Sequence, residues 1–559
     1  MLKKVAIIGG GVGGMSAAQE LLERNTDDVR YDVTIFEANA KIPGGKARSL
    51  PIAGTGIAGN RDLPAEHGFR FFPGFYRNLP DSMRKIPYQG QKDGVWGNMV
   101  ETTRLLIGRS GYEPFIAISR FPKNFDDLFA AFGNVIDIIK TGLTYEDLLF
   151  FAGKFYQLFT TCDERREDEF EKICWWDFIE ASSRSKAYQD FLAYGLSRSL
   201  AANDPKRAST KTLGNIYIQL LLGILLPGEA IDRVLNAPTN EAWIDPWKQY
   251  LESLGAKYVQ GTVAKSISCK DAVVTSVLAT HQDGSSEELN FDEYIFAVPV
   301  ERMAELLENS PEVLQYAPDL EGVLTLQHDV AWMNGFIFYL NQEVNIVHGH
   351  QLFVDSPWSV TAVAHTQFWQ GYPIEKCGNG KVKTVFSTDI SNWNVPGVIY
   401  GKPACELDDE QIKEETWEQI KRSLNANGRV LLQDEMIEHW FLDEDISITS
   451  RKGGKIERAN REPLLVNLIN KQRLKPKAAT QIHNMFLAAD YVKTETDFAC
   501  MEGANEAARI AVNSLLDKDN AKVSRCPVYG LEEPAFFKPM KENDKKRYKK
   551  GLPWNGLLF

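Results

Sequence analysis

The sequence predicts the α/β fold class, and three features of the chain support that prediction. An apolar run at residues 5–8 leads into the glycine-rich turn of residues 9–14 and then into a helical pattern. A second apolar run, at residues 31–36, ends at Glu37, and a third, far downstream, ends at Asp490. Strand, glycine turn, helix, strand and acid in this order are typical of a Rossmann-like unit.

Each glycine of the turn has its own task in a dinucleotide site. Gly9 allows the tight turn, Gly11 lets the backbone approach a pyrophosphate, and Gly14 lets the helix pack against the strand. The helix N-terminus then faces the phosphates. Glu37, 23 residues after Gly14, is placed to accept hydrogen bonds from ribose hydroxyls. We therefore predict that a dinucleotide contacts Gly9, Gly11, Val12, Gly13, Gly14, Glu37 and Ala38.

The composition argues against several classes of protein. With 63 basic and 75 acidic residues the formal net charge is −12, whereas a general nucleic-acid binder needs a basic face. Seven cysteines without a CxxC pair indicate reduced thiols in a cytoplasmic protein. Eight histidines and no HExxH motif give no support for a metal centre. The first strand begins within five residues and no apolar run approaches about 20 residues, so we expect neither a signal peptide nor a membrane span.

Two further segments extend the predicted cofactor site. Gly44 and Gly45 let the backbone run close to a ligand, and Lys46 and Arg48 can neutralise phosphate charge, although a solvated surface turn is the alternative. Downstream, the strand that ends at Asp490 is followed by a helix of small residues that contains Met501 and Ala504. The backbone N–H groups at the start of such a helix stabilise negative charge.

Together these segments resemble a known group of proteins. The pattern GxGxxG…E, then GGKARS at residues 44–49, then LAADY at 487–491 and MEGA at 501–504 resembles FAD-dependent enzymes of the amine-oxidase and phytoene-desaturase fold. Within that group the chain is most similar to carotenoid and squalene desaturases and hydroxysqualene dehydroxylases. Three more stretches are similar to that branch: 66–76, 460–467, and 261–263 together with 295–299.

The resemblance implies the cofactor and assigns candidate roles. FAD is the implied cofactor, with Asp490 on the ribityl chain or pyrophosphate and the helix start of Met501 and Ala504 beneath the ring. The segment of Gly68, Phe69 and Arg70 would run beside the flavin, and Val263 would lie on a strand that returns to the FAD domain. His67 and Arg70 are the catalytic candidates; the alternative is that both only hold the flavin or the loop.

The same pass along the chain predicts the domain organisation. Residues 1–80, 241–300 and 470–517 form a discontinuous Rossmann-like FAD-binding domain, and residues 301–469 an α+β substrate-binding domain. Residues 81–240 form a mainly helical insertion, since apolar residues recur at helical steps from 124 to 200 and Thr144 to Asp147 resembles a capping box. Residues 518–559 form a C-terminal tail.

We expect an FAD-dependent oxidoreductase that acts on a long apolar isoprenoid or polyene by hydride transfer to flavin N5. Desaturation, dehydroxylation and double-bond isomerisation stay open, as does the oligomeric state. The alternatives are a fatty-acid desaturase or isomerase of the same fold, a flavin amine oxidase, and a non-catalytic flavin-binding protein. Only one GxGxxG is correctly placed, which favours quinone or oxygen over a nicotinamide as the electron acceptor.

Two segments indicate peripheral membrane contact. The tail carries five cations within residues 545–550, followed by the apolar residues Leu552, Trp554, Leu557, Leu558 and Phe559. Cations beside an apolar cluster suit an anionic membrane surface, and a disordered end or a subunit-docking arm is the alternative. The apolar run from Ile216 to Leu226 is the second candidate.

Overall fold

The structure is a computed structural model that describes residues 2–68, 70–119, 142–195, 197–198, 203–225 and 230–557. Three sequence predictions therefore lie wholly or partly outside the described residues. They are the contact of Phe69, the first part of the helical pattern at 124–200, and the end of the apolar run at 216–226.

A parallel sheet of five strands forms the centre of the described part of the chain. In spatial order its strands are Met485–Leu487, Glu293–Phe296, Leu2–Ile8, Arg30–Glu37 and Lys257–Gln260. Val5, Ala6 and Ile7 of the middle strand are fully buried, as expected for a parallel sheet covered on both faces. Helices Val12–Leu22 and Met501–Lys518 pack against each other, and both contact this sheet. The sheet confirms the α/β class, and its strands come from the three segments assigned to the FAD-binding domain; the domain boundaries stay a prediction.

A smaller antiparallel sheet and several helices flank this core. The sheet contains Thr262–Lys270, Val273–His281 and Ser286–Leu289. The flanking helices are Asn78–Lys85, Asp245–Ser253, Val300–Glu308, Pro311–Tyr316 and Glu321–Leu326. Short strand pairs connect the parts: Ser49–Ile52 with Leu63–Glu66, Met99–Glu101 with Arg233–Leu235, Val330–Ala331 with Leu464–Leu465, and Ile446–Lys452 with Lys455–Asn460.

A second large sheet corresponds to the predicted substrate domain. Its seven strands, in spatial order, are Ile437–Leu442, Asn334–Leu340, Thr384–Ile390, Thr361–Ala364, Gln351–Phe353, Arg104–Gly108 and Phe115–Ile118. Helix Asp409–Leu424 packs on it and begins with a capping box between Asp408 and Gln411. The last two strands come from the segment that we expected to be mainly helical. They are short and only partly buried, and they pair with each other as a hairpin, while Arg104–Gly108 also joins Gln351–Phe353 almost 250 positions later.

The described helical part of the insertion consists of several helices, two of which line the cavity described below. Helix Tyr145–Thr160 begins with the expected capping box: the Asp147 N–H donates to the Thr144 hydroxyl, and the Thr144 N–H donates to the Asp147 carboxylate. Further helices are Asp163–Arg165, Trp175–Phe178 and Thr210–Leu225, with π-helical turns at Arg166–Phe170, Tyr188–Gly195 and Asn240–Ile244. Among the described residues no helix is long and apolar enough to cross a membrane.

The C-terminal tail is an ordered arm over its described part. It contains helix Lys538–Tyr548, which packs on helices Tyr145–Thr160 and Asp163–Arg165. The Asp544 carboxylate is buried and accepts hydrogen bonds from the Arg165 guanidinium and from the Cys162 N–H. The described part of the tail is therefore not the disordered end that stood as one alternative: helix Lys538–Tyr548 docks on the insertion, and Trp554 and Gly556 contact helix Tyr145–Thr160.

Candidate functional site

The glycines of the turn are required by close backbone approaches. Gly9 has a φ of +110°, and an added Cβ would lie 2.5 Å from the Ala297 carbonyl oxygen. A Cβ on Gly14 would overlap the Gly9 carbonyl oxygen, and one on Gly13 would overlap the Ala488 carbonyl oxygen. The turn thus lies against the residues that follow two neighbouring strands, Glu293–Phe296 and Met485–Leu487.

The predicted ribose-binding acid is held beside this turn. The Glu37 carboxylate accepts hydrogen bonds from the Gly10 N–H, at 2.9 Å, and the Asn39 N–H, at 2.7 Å. Burial raises the pKa of Glu37, and these two donors oppose that shift. The Tyr258 hydroxyl donates to the Gly10 carbonyl at 2.7 Å, a contact that the sequence did not indicate. The carboxylate is therefore oriented before any ligand binds.

The first helix begins without a cap of its own. Gly11 is its N-cap residue and makes no side-chain cap hydrogen bond, and the first turn carries no acidic residue. A helix N-terminus in this state offers its unsatisfied N–H groups and the positive end of its dipole to an anion. Gly44 and Gly45, both with positive φ, run next to Gly11. This cradle fits the pyrophosphate of FAD.

The second predicted helix start closes the same site. The thiol of Cys500 accepts a hydrogen bond from the Gly503 N–H at 3.4 Å, and burial raises the Cys500 pKa to about 12, so the cap is a neutral thiol. The Glu502 carboxylate turns away and accepts hydrogen bonds from the N–H groups of residues 77–79, which begin helix Asn78–Lys85. Its charge is therefore held away from the cavity side of the helix.

One cavity of about 1210 Å³ connects these elements, which is larger than the 300–1000 Å³ typical of a single ligand pocket. It is lined by most of the predicted site residues: Gly9, Gly11, Val12, Gly13, Glu37, Ala38, Gly44, Gly45, Lys46, His67, Gly68, Arg70, Val263, Asp490, Met501 and Ala504. The structure thus brings together segments from both ends of the chain. The volume leaves room for a substrate beside a dinucleotide.

Among the described residues, two predicted contacts do not line the cavity. Gly14 lies behind the turn, where it permits helix packing. The Arg48 side chain is buried, and it donates to the Gly45 carbonyl and to the Asp445 carboxylate. Arg48 compensates a buried carboxylate, which accounts for its turn away from a phosphate. Lys46 does line the cavity, paired with Glu301 at 3.3 Å.

His67, a catalytic candidate, is held by two carboxylates that sequence reasoning missed. Its Nδ1 lies 2.6 Å from Asp443 and 3.3 Å from Asp445. Burial opposes protonation of His67, but the two carboxylates outweigh it and raise the His67 pKa. Burial would likewise raise the Asp445 pKa, yet hydrogen bonding to His67 and the charge of Arg48 lower it to about 2. The two carboxylates thus favour the protonated form of His67.

These three residues also form a group with metal-ligand chemistry. One nitrogen of His67 and one oxygen each of Asp443 and Asp445 lie within 4.8 Å of one another. Arg48 and Arg461 already contact the Asp445 carboxylate, the second at 3.2 Å. The two guanidinium groups thus supply the positive charge that a metal ion would otherwise bring to these carboxylates.

Arg70, the other catalytic candidate, connects two loops of the site. Its guanidinium donates to the carbonyl oxygens of Gly68 and Lys46. Burial lowers the Arg70 pKa, and the nearby carboxylates of Glu66 and Asp389 oppose that shift. Arg70 lines the cavity, so it can both hold the loops and place positive charge beside a ligand.

A further polar pair lines the cavity, and sequence reasoning did not single it out. His350 Nδ1 lies 2.7 Å from the Asp232 carboxylate, and both side chains are about nine-tenths buried. The Phe72 N–H donates to Asp232 at 3.1 Å, which fixes the carboxylate. The two residues are 118 positions apart and carry no local motif.

Beyond these polar groups the cavity wall is apolar. The side chains come mainly from helices Tyr145–Thr160 and Thr210–Leu225 and are those of Leu148, Phe151, Ala152, Phe155, Tyr156, Phe159, Tyr217, Leu220, Leu221, Ile224, Phe498 and Phe537. We call this part of the cavity the apolar arm. Most of the described part of the apolar run at 216–225 is thus cavity wall and buried core.

The glycine turn, the oriented acid and the uncapped helix define a dinucleotide-binding α/β protein. Residues 12–516 match the model of a family described as flavin containing amine oxidoreductase. Because that match spans most of the chain, the protein belongs to this family. It is an FAD-dependent oxidoreductase, and the FAD prediction is confirmed.

Individual relatives are distant. A carotenoid phi-ring synthase from Chlorobaculum tepidum is 23% identical over 282 residues, 49% of this chain, and the match spans only 39% of that relative. The structure of an oxidoreductase from Methanosarcina mazei is similar with a TM-score of 0.57 and 13% identity, covering 92% of this chain and 100% of that one. Putrescine oxidase bound to putrescine gives a TM-score of 0.59 and 10% identity, covering 92% and 99%. At these identities the two structures show the fold alone.

Proposed function

We propose that this FAD-dependent oxidoreductase acts on a long apolar substrate of the isoprenoid or polyene class. The observation that carries the proposal is the apolar arm, which belongs to the same cavity as the cofactor cleft. Twelve aliphatic and aromatic residues line the arm, so a hydrocarbon chain gains free energy by leaving water there. The carotenoid relationship of the phi-ring synthase supports the same substrate class.

The residues of the site have separate tasks in this proposal. Bound FAD supplies an acceptor for a hydride from the substrate. The apolar arm binds the chain and excludes water from the reacting carbon atoms. The carboxylates of Asp443 and Asp445 favour the charged form of His67, which lies at the cavity wall and can donate a proton to a ligand there. Arg70 holds its two loops in register around the same space.

A fatty acyl chain is the second candidate. Arg104 lines the same cavity, and a guanidinium is a cation suited to a substrate carboxylate. An amine substrate is the third alternative, since putrescine oxidase shares the fold. The three classes differ in charge: the polyene has none, the fatty acid carries a carboxylate and the amine a cation.

The test uses the flavin absorption band of the purified holoenzyme. Under anaerobic conditions, squalene-type and carotene-type polyenes, fatty acids and putrescine are added separately. We expect bleaching by a polyene alone. Bleaching by a fatty acid or by putrescine would overturn the assignment in favour of that class. An altered polyene without any bleaching would keep the substrate class and make the chemistry redox-neutral.

A variant ties the substrate class to the apolar arm. Leu221→Gln places an amide in the arm, far in sequence from every predicted FAD contact. We expect weaker polyene binding with unchanged flavin content, while Val430→Gln, on an exposed loop, matches wild type. Equal polyene binding by Leu221→Gln and wild type would contradict the role of the arm.

We also propose quinone or oxygen as the electron acceptor, because only one dinucleotide motif is correctly placed. The flavin is first reduced by the substrate. The rate at which its absorption band then returns is measured with a soluble quinone, with oxygen and with NADP⁺. Faster return with NADP⁺ would refute this part of the proposal.

A further inference from the structure

Helix Tyr145–Thr160 leaves an apolar stripe in solvent. Tyr145 is 72% exposed and Leu149 is 55% exposed, and Ala152 and Tyr156 are also exposed. These positions are four, three and four residues apart, so they share one face of the helix. Isolated exposed apolar residues need no explanation, but a contiguous stripe indicates a binding surface. Ala152 and Tyr156 also line the apolar arm, so the stripe borders the cavity.

The C-terminal arm lies beside this stripe. The Tyr156 hydroxyl donates to the Gly556 carbonyl at 2.6 Å, and the ring of Trp554 contacts the ring of Tyr156. Phe537 lines the cavity and stacks on Phe159 with ring centroids 4.7 Å apart. The arm adds its own exposed apolar side chains to the surface, those of Phe536, Leu552 and Leu557.

The same arm carries cations without acidic partners. Some of its lysines are paired, since Lys541 lies 2.8 Å from Glu533 and Lys545 contacts Glu164. Lys546, Lys549 and Lys550 are exposed, and none has a carboxylate within 4.0 Å among the described residues. These three lysines are thus available to an anionic surface, although the neighbouring segment 163–169 is acidic and already engages Lys545 through Glu164.

We propose that the stripe of helix Tyr145–Thr160 and the arm of residues 536–557 together dock on an anionic lipid bilayer. The lysines pair with lipid phosphates, while Leu149, Phe536 and Leu557 enter the boundary of the acyl chains. The apolar arm of the cavity, which the stripe borders, then faces hydrocarbon, so an apolar ligand reaches it without crossing water. Docking itself does not depend on the identity of the substrate.

Vesicle sedimentation of the holoenzyme tests the proposal. The protein is mixed with vesicles of phosphatidylcholine, or of phosphatidylcholine and phosphatidylglycerol in equal parts. We expect binding to the anionic vesicles, and binding at least about 100-fold weaker for Lys546→Glu/Lys549→Glu/Lys550→Glu, because each cation near such a surface contributes about a factor of five. Leu149→Glu removes the apolar insertion and should also release the protein.

A matched control reverses three exposed cations elsewhere. Arg451→Glu/Lys452→Glu/Lys455→Glu makes the same change in net charge on the hairpin of residues 446–460. This variant should bind anionic vesicles far better than Lys546→Glu/Lys549→Glu/Lys550→Glu. Flavin absorbance and thermal unfolding verify that each variant is folded. Failure of the folded wild type to bind, or equal loss in both triple variants, would overturn the proposal.

A second copy of the chain is the competing occupant. Analytical ultracentrifugation without lipid distinguishes it: a dimer that Leu149→Glu converts to monomer would assign the stripe to self-association and overturn membrane docking. A monomeric wild type that binds anionic vesicles supports docking. Neither measurement uses substrate, so failure here is distinct from failure of the polyene assignment.

Discussion

Substitution of Gly11 by alanine separates the cofactor role of the glycine turn from its structural role. The backbone of Gly11 has φ −82° and ψ −169°, which alanine adopts without strain. An added Cβ would lie 3.6 Å from the Gly45 Cα and 3.7 Å from the Gly44 carbonyl oxygen, both ordinary van der Waals distances. The apo fold therefore has room for this methyl group.

The matched substitution is Gly13→Ala, two residues further along the same helix. Its Cβ would overlap the Ala488 carbonyl oxygen and lie 3.1 Å from the carbonyl carbon, so helix and strand must separate. Such overpacking costs about 1–3 kcal/mol or more. Gly11→Ala loses only the advantage of glycine over alanine at an N-cap, about 1 kcal/mol or less.

The two variants therefore differ in the stability of the apoprotein, and Gly11→Ala tests FAD binding in a fold that tolerates the methyl group. In urea unfolding of apoprotein we expect Gly11→Ala to lie within about 1 kcal/mol of wild type and Gly13→Ala to be clearly less stable. In FAD titration we expect Gly11→Ala to bind at least about tenfold more weakly, since a methyl group holds the pyrophosphate off the helix N–H groups. Wild-type FAD affinity in Gly11→Ala would refute the placement of the pyrophosphate at this turn.

Three more outcomes follow from buried charges. Asp445→Asn should lower the free energy of unfolding by about 2 kcal/mol at pH 7, because the pKa of Asp445 is about 2 in the folded protein instead of 3.8. In urea unfolding, the difference from wild type should fade as the pH drops towards 2. The His67 pKa measured by NMR should fall in the same variant. Burial raises the Glu66 pKa from 4.5 to about 7, so wild type should lose stability as pH rises through that window, and Glu66→Gln should give a flatter curve of urea midpoint against pH. Arg165→Met leaves Asp544 buried without its cation, so limited proteolysis should cut the C-terminal arm faster, and adding Asp544→Leu should restore protection.

The parts of the site that the sequence predicted are local ones. A glycine turn, its helix and the acid that follows lie within residues 5–37, and short-range geometry determines their pattern. The capping box at Thr144 is equally local and is present. The contact of Gly10 with Glu37 follows from adjacent parallel strands, whose carboxyl ends meet at one edge of the sheet.

The parts that the sequence did not predict depend on distant partners. His67 was a candidate from its motif, yet Asp443 and Asp445, which fix its charge, lie more than 370 residues away and form no pattern with it. Arg48 was assigned to a phosphate from its charge and its place after Glu37, and in the structure its guanidinium contacts the same distant Asp445. Single-sequence reasoning has no access to such tertiary pairings.

The order of strands in the parallel sheet has a consequence for the growing polypeptide on the ribosome. Leu2–Ile8 is synthesised before the other strands of this sheet, yet one of its edges pairs with Glu293–Phe296, and Gly13 packs on the carbonyl of Ala488, both hundreds of residues later. An unpaired edge is prone to wrong pairing during this interval. The cofactor cleft cannot close until helix Met501–Lys518 has left the exit tunnel, so FAD capture must follow the synthesis of both distant parts of the FAD-binding site.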